Sequence, residues 1–486
     1  MIRRRLVPGL AALVLASNAA SLVGAAQTYS SSSMNTILAT AAKSHSATTA
    51  PAPKPHAAAA APDTAALLPA GSHSIRFENV DGAIIVNGML RGASDRDTTG
   101  LLIVDTGAGF LALAPALIQR LGLSDTLPTE LTFAPRTLRA LSIGGVEQQT
   151  VAPILCVDTK VIEQATDRAV LGLLGQQPLD HFAVSFDYVA NRMALIPMQS
   201  DAIGASRPRG MSAADLAASS AATSMARTAS SDALGKLITS RSIAIPFELA
   251  GDGKVVVRAR ATEATEQASS ADELSLILDT GATKTVFFTD AVGDRAPGMK
   301  DWKRLKGLSA PTLYGTEEAL MTRVPRIELR GENGSASAEG VDVALLTGEL
   351  GTALAQATGH RIDGLLGYSF LRRFRVTIDY PHLMLWLEPV RVPADQRPYE
   401  YCHVGIQIER RDGALSVVAV AADSPAARAG IKAGDELIAI DRTRASSLDV
   451  IGAARLLEGP PGSKTTLVMR RAGVEKSYPL TRQKLL

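Results

Sequence analysis

Short runs of bulky apolar residues, bounded by Gly, Pro, Asn or Asp, recur between residues 74 and 390, and few stretches show amphipathic helix spacing. Ser74-Ile75-Arg76-Phe77 opens one series of such runs, and Ile243-Ala244-Ile245-Pro246-Phe247 opens another. Each series passes through a β-branched stretch (Ala83 to Val86; Val255 to Val257) to an apolar strand ending in Asp-Thr-Gly. These are Leu101-Leu102-Ile103-Val104-Asp105-Thr106-Gly107 and Leu276-Ile277-Leu278-Asp279-Thr280-Gly281. Gly-Leu-Leu-Gly follows at Gly172 to Gly175 and Gly364 to Gly367, and both series close on one alternation, Phe182 to Tyr188 and Phe374 to Tyr380. The Asp-Thr-Gly motifs lie 174 positions apart and the Gly-Leu-Leu-Gly motifs 192, so the second copy holds 18 more residues between them. The pattern reads as an internal duplication of a mostly β unit.

Flanking segments complete the division. Arg3-Arg4-Arg5, the apolar run Leu6 to Leu15 and the small residues Ala19-Ala20 and Ala25-Ala26 read as a secretory signal over 1–26. An exported protein, periplasmic or secreted, is expected, with membrane contact only if that segment stays uncleaved. Residues 27–73 are Ala, Ser, Thr and Pro with little bulky apolar surface, which predicts a disordered linker. A similar composition predicts a flexible linker over 199–241. The first lobe is thus expected at 74–198, the second at 242–390, and a third domain at 398–486.

Composition removes several classes of function. Lys+Arg 50 against Asp+Glu 48 leaves a net charge of +2, too even for a nucleic-acid field. Aromatics at 4% give little surface for base stacking. The seven His and two Cys are scattered without His-Glu-x-x-His or Cys-x-x-Cys, so no metal site is expected. No bridge is predicted between Cys156 and Cys402.

A single Asp-Thr-Gly is an ordinary turn after a strand. Two copies, each after a buried-type strand, are harder to dismiss, because a carboxylate there is costly unless it is used. A pseudo-two-fold axis can bring Asp105 and Asp279 together. Two adjacent carboxylates share one proton, so one takes a proton from water while the other donates to a carbonyl. Asp-Thr-Gly-Ala at 105–108 and 279–282, with Leu-Leu-Gly at 173–175 and 365–367, resembles the retropepsin-like aspartic proteases. The resemblance implies a catalytic Asp105/Asp279 dyad, loops cross-braced by Thr106 and Thr280, and close backbone approach at Gly107 and Gly281. It implies two homologous β-barrel lobes in one chain and needs no cofactor. The copies differ in that Asp363 precedes the second Gly-Leu-Leu-Gly where Leu171 precedes the first.

Ser424-Pro425 starts a short helix, Gly430 can stop it, and Leu437 to Ile440 follows as a strand. The run Ser424 to Asp441 is similar to the PDZ domains of bacterial envelope proteases, an α+β fold over about 400–486. That resemblance implies capture of a peptide C-terminus at Val404, Gly405, Ile406, Gln407 and Ile408, opposite a helix expected at Ala445 to Leu457. The combined expectation is an aspartic endopeptidase acting on peptides or proteins through a dyad-activated water, with the PDZ domain recruiting substrate. The alternative is a peptide-binding scaffold that does not cut.

Overall fold

The computed structural model describes residues 64–93, 96–198, 220–251, 253–262, 273–296, 298–312, 315–391 and 397–486. The expected signal segment, most of the 27–73 linker and residues 199–219 lie outside that set. The protein is mostly β. Two large half-barrel sheets, one shared sheet and a C-terminal PDZ sheet account for most of it.

The first large sheet is ordered Val146–Val151, Leu138–Ile143, Ala83–Arg91, Asp97–Val104, Val170–Leu174, Leu111–Leu113, Ile154–Cys156. The second follows Glu248–Ala250, Lys254–Thr262, Leu274–Leu278, Gly364–Leu366, Thr285–Phe288, Gly334–Leu346, Gly315–Gly331, Arg304–Thr312. At the centre of each, the strand leading into Asp-Thr-Gly runs parallel to the Gly-Leu-Leu-Gly strand. Burial of those central strands explains their unbroken apolar runs: Leu274–Leu278 is buried throughout, as are Leu102, Ile103 and Val104. The greater separation of the second pair of motifs falls in two hairpin strands, 17 and 13 residues long at Gly315–Gly331 and Gly334–Leu346.

The third sheet joins the two halves. Its order is His73–Arg76, Arg192–Pro197, Phe182–Asp187, Phe374–Asp379, Met384–Pro389, Ile243–Pro246, with Phe182–Asp187 and Phe374–Asp379 antiparallel at the middle. One apolar core therefore runs through both halves, from Ile84, Val104 and Phe186 to Leu278, Phe370 and Val376.

Where the sequence predicts flexible linker, Ser220–Leu234 is a helix. Its composition hides the anchors: Leu234, with Leu237 in the 3-10 turn Gly235–Leu237 that follows, packs in one cluster with Ala183, Ala244 and Trp386, and Ser230 donates to Asp379 at 2.5 Å and accepts from Trp386 Nε1 at 2.9 Å.

The PDZ sheet is ordered Ile406–Arg411, Ala414–Val420, Glu436–Ile440, Lys464–Arg471, Val474–Thr481 around its own core of Val404, Ile408, Val417, Leu437 and Leu467. The helix expected at Ala445 to Leu457 is shorter. A 3-10 turn at Ala445–Ser447 precedes Val450–Leu457, because Asp449 caps the later start by accepting from Gly452 N at 2.7 Å. Cys156 and Cys402 are buried, and neither is in a disulfide. Among the described residues no helix is long and apolar enough to cross a membrane.

Candidate functional site

Each Asp-Thr-Gly leaves the end of a buried strand and is held there by its neighbour. Asp105 N donates to Leu174 O at 2.9 Å, and Asp279 N donates to Leu366 O at 3.1 Å. Glycine at the end of each Gly-Leu-Leu-Gly is required by crowding. A Cβ on Gly175 would stand 2.1 Å from Phe110 O, and one on Gly367 would stand 2.2 Å from Lys284 O.

The two loops meet through reciprocal contacts, which bring Asp105 and Asp279 together. Thr106 N donates to Thr280 Oγ1 at 3.1 Å, and Thr280 N donates to Thr106 Oγ1 at 3.0 Å. Each hydroxyl then donates onward, Thr106 to Leu278 O and Thr280 to Val104 O, both at 2.9 Å. These four bonds satisfy two hydroxyls and two backbone N–H groups that are out of reach of water. The glycines let the carboxyls approach: a Cβ on Gly107 would lie 2.6 Å from Asp279 Cγ, and one on Gly281 would lie 2.7 Å from Asp105 Cγ.

Both carboxyls are fully buried. Asp105 Oδ1 accepts from Gly107 N at 2.9 Å and Ala108 N at 3.1 Å; Asp279 Oδ1 accepts from Gly281 N at 2.8 Å and Ala282 N at 3.0 Å. The second oxygen of each, Oδ2, has no hydrogen-bond partner outside the pair. Burial, followed by the charge of Asp279, pushes Asp105 well above the usual carboxylate range. Burial pushes Asp279 up to about 7, against the pull of its backbone donors. Burial thus favours the protonated form at both carboxyls.

Ionic contacts around the site gave no local signal in the sequence. Lys284, five residues after Asp279, is buried and pairs with Glu400 at 2.5 Å. Glu400 belongs to the segment leading into the PDZ domain, where Arg397 bonds to Asp81 and Glu458. Asp363 is fully buried and takes Arg295 Nη1 and Nη2 at 2.7 Å each. It also accepts from Ser275 N at 2.8 Å, which pins the second large sheet's central strands together.

The proposed peptide site begins at Val404, whose carbonyl accepts from Ala426 N at 2.9 Å. Gly405 takes a φ of +88°, and a Cβ there would strike Ser424 at 2.2 Å. Ile406 and Ile408 face the PDZ core, while the Gln407 side chain bonds to both the N–H and the carbonyl of Ser309 on the Arg304–Thr312 strand.

Residues 416–471 match the family model described as PDZ domain, and a PDZ domain stands at this end of the chain. Among curated proteins, the chain is 37% identical over 71 residues to the carboxy-terminal processing protease CtpA of Bacillus subtilis, 15% of each chain. It is 34% identical over 82 residues to the carboxy-terminal-processing protease of Bartonella bacilliformis, 17% of this chain and 19% of that one. The chain thus spans less than a fifth of the length of either relative. Among solved structures, an aspartic proteinase from Irpex lacteus is 15% identical over 66% of this chain and 98% of its own, at a TM-score of 0.36. That score is too low to bear on fold or chemistry.

The relatives correct one expectation. The sequence predicts an aspartic endopeptidase working through a water activated by an Asp105/Asp279 dyad. The curated proteins that share sequence with this chain are carboxy-terminal processing proteases, and they lend that mechanism no support. The geometry of the two carboxyls stands as an observation apart from it.

Proposed function

We propose that this chain is a peptide-directed hydrolase whose PDZ domain captures the carboxy-terminal end of a protein or peptide, with Asp105 and Asp279 as its catalytic groups. The observation that carries the assignment is the carboxyl pair, buried together with one oxygen of each anchored by backbone N–H groups and the other without a partner outside the pair. A structural carboxylate is normally paired or bonded through both oxygens, and leaving two such oxygens together is costly. Thr106, Gly107, Thr280 and Gly281 hold the pair in place. Val404, Gly405, Ile406, Gln407 and Ile408 are the peptide-capturing residues. The names of the curated relatives support action at carboxy termini.

The two large sheets are read as homologous, retropepsin-like lobes, supported by the same parallel and antiparallel pairings around each Asp-Thr-Gly. The divisions at 74–198, 242–390 and 398–486 follow from that reading. An exported location rests on the basic and apolar residues of 1–26.

The test incubates the full chain with peptides of one sequence carrying a free or an amidated C-terminus, beside Asp105→Asn and Asp279→Asn, with products read by mass spectrometry. Cleavage of the free-ended peptides, lost in both variants, supports the assignment. Cleavage that survives either substitution removes the pair from the chemistry, and equal cleavage of amidated peptides removes carboxy-terminal capture. Binding without cleavage by folded protein would leave a peptide-binding scaffold.

A further inference from the structure

The groove of the PDZ fold lies between Ile406–Arg411, an edge strand of its sheet, and the helix Val450–Leu457. A captured peptide would pair with that edge and run along the helix. In this chain another segment already stands at the groove. The helix Lys160–Thr166, from the first large sheet, lies against both walls, and Ile451 packs onto the cluster of Val157, Ile162 and Val170. Asp167 ends this helix in a left-handed conformation, φ 55°, which aims its carboxylate into the contact. Arg410 donates to that carboxylate through Nε at 2.8 Å and Nη2 at 2.9 Å, and Val450 N donates at 3.3 Å. Arg410 is itself oriented by the carbonyls of Leu448 and Gly413, at 2.6 and 3.1 Å. At the opposite end, the Gly405 N–H that would meet a peptide carboxylate is taken by His403 Nδ1 at 3.0 Å.

The Arg410 fork and the Val450 N–H form a carboxylate seat on the path of a bound peptide, at the end far from Gly405. Planar two-point recognition of this kind is specific to carboxylates and phosphates. We propose that this seat selects captured peptides bearing an acidic side chain a few residues before the C-terminus, and that Asp167 occupies the seat until such a peptide displaces it. The proposal rests on the PDZ reading given above and adds the chemistry of the ligand to it. The seat is open to exchange because neither partner is fully buried: Arg410 and Asp167 side chains keep 26% and 17% of their exposure, so a ligand carboxylate can reach the fork. The ligand and Asp167 therefore compete for one site, and the apparent affinity falls by the fraction of chains in which the seat is filled.

The test measures fluorescence anisotropy of three labelled decapeptides of Ala, Ser and Val on the full chain, each checked for integrity by mass. The first has a free C-terminus and Asp at the second to fourth residues before it, the second has Asn in those places, and the third is the Asp peptide amidated. Asp167→Asn keeps a residue that tolerates the left-handed backbone but removes the charge. It is expected to tighten binding of the free Asp peptide about three- to tenfold. Arg410→Gln is expected to abolish the preference for Asp over Asn, and Arg410→Lys, which keeps charge without the fork, to weaken it if Arg410→Gln does not fold. Unchanged or weaker binding in Asp167→Asn, or a preference that survives loss of Arg410, overturns the proposal. Equal binding of the free and amidated Asp peptides, with the Asp preference intact, would sink carboxy-terminal capture while supporting the acidic seat. Absence of binding by any peptide to Asp167→Asn overturns both.

Discussion

Replacing Thr106 by Val tests how strongly the two loops hold each other. The substitution keeps the branched shape but removes the hydroxyl that accepts from Thr280 N at 3.0 Å and donates to Leu278 O at 2.9 Å. Thr280 N then loses its partner in a place closed to water. An unsatisfied buried group costs about 1–3 kcal/mol, so losing both bonds predicts about 2–6 kcal/mol. That is a large share of the roughly 5–15 kcal/mol typical of a folded domain. Both tryptophans lie outside the PDZ domain, Trp386 on the shared sheet and Trp302 in the core that also holds Val104 and Leu278, so urea unfolding followed by their fluorescence reports the core around the two loops. Thr106→Ser keeps the hydroxyl and is expected to lose only about 1 kcal/mol, the value of a buried methyl group. Thr106→Val combined with Thr280→Val is expected to cost less than the two single losses together, because the first opens the contact that the second would break. A Thr106→Val protein within about 0.5 kcal/mol of the parent, indistinguishable from Thr106→Ser, would refute the reasoning.

Two further outcomes follow from the charges. Asp279, held up at about 7 by burial, keeps its proton in the folded chain at pH values where the unfolded chain has released it. Its contribution is thus fully present below the unfolded value and lost as pH rises through about 7. The melting temperature should fall between about pH 4 and 7, less steeply in Asp279→Asn, and an unchanged slope in the variant would assign the dependence to other groups. Burial pushes Glu400 up, but the Lys284 and Arg397 cations hold it down to about 2. Lys284→Met leaves that carboxylate buried without its 2.5 Å partner, for an expected loss of about 3–5 kcal/mol in denaturant unfolding. Adding Glu400→Leu should recover most of the loss; no recovery would mean that Lys284 acts through packing.

The strands nearest the paired carboxyls were legible because their information is local. The apolar run Leu101 to Val104 lies within Asp97–Val104, Leu276 to Leu278 lies within Leu274–Leu278, and the closing alternation gives Phe182–Asp187 and Phe374–Asp379. The start and stop at Pro425 and Gly430 are local as well, and the helix is Pro425–Ala429 with Gly430 at φ +81°. What escaped depends on distant partners. Ser220–Leu234 is helical although Ala and Ser dominate it, because its anchors are found on strands near residues 183, 244 and 386. Lys284 meets Glu400 across 116 positions, and Asp167 meets Arg410 across 243, with nothing in either neighbourhood to announce the match. The resemblance to retropepsin loops marked which carboxyls would meet, but did not extend to the relatives' identity.

The sheet shared between the halves has a consequence for assembly. Each half supplies three adjacent strands, and Phe182–Asp187 and Phe374–Asp379 meet only at the seam. A polypeptide ending before residue 199, or one beginning after residue 219 and ending before the PDZ segment, would therefore present a bare central strand with its ladder of N–H and C=O groups open. Such an edge templates pairing with whatever strand is available. Either fragment made alone should dimerise or precipitate, whereas the two made together should find each other through the register Ala183 with Asp379 to Phe186 with Val376. Covalent continuity keeps the correct partner at hand, and in doing so it frees the two halves to specialise: Asp363 and its arginine fork on one side, Leu171 on the other.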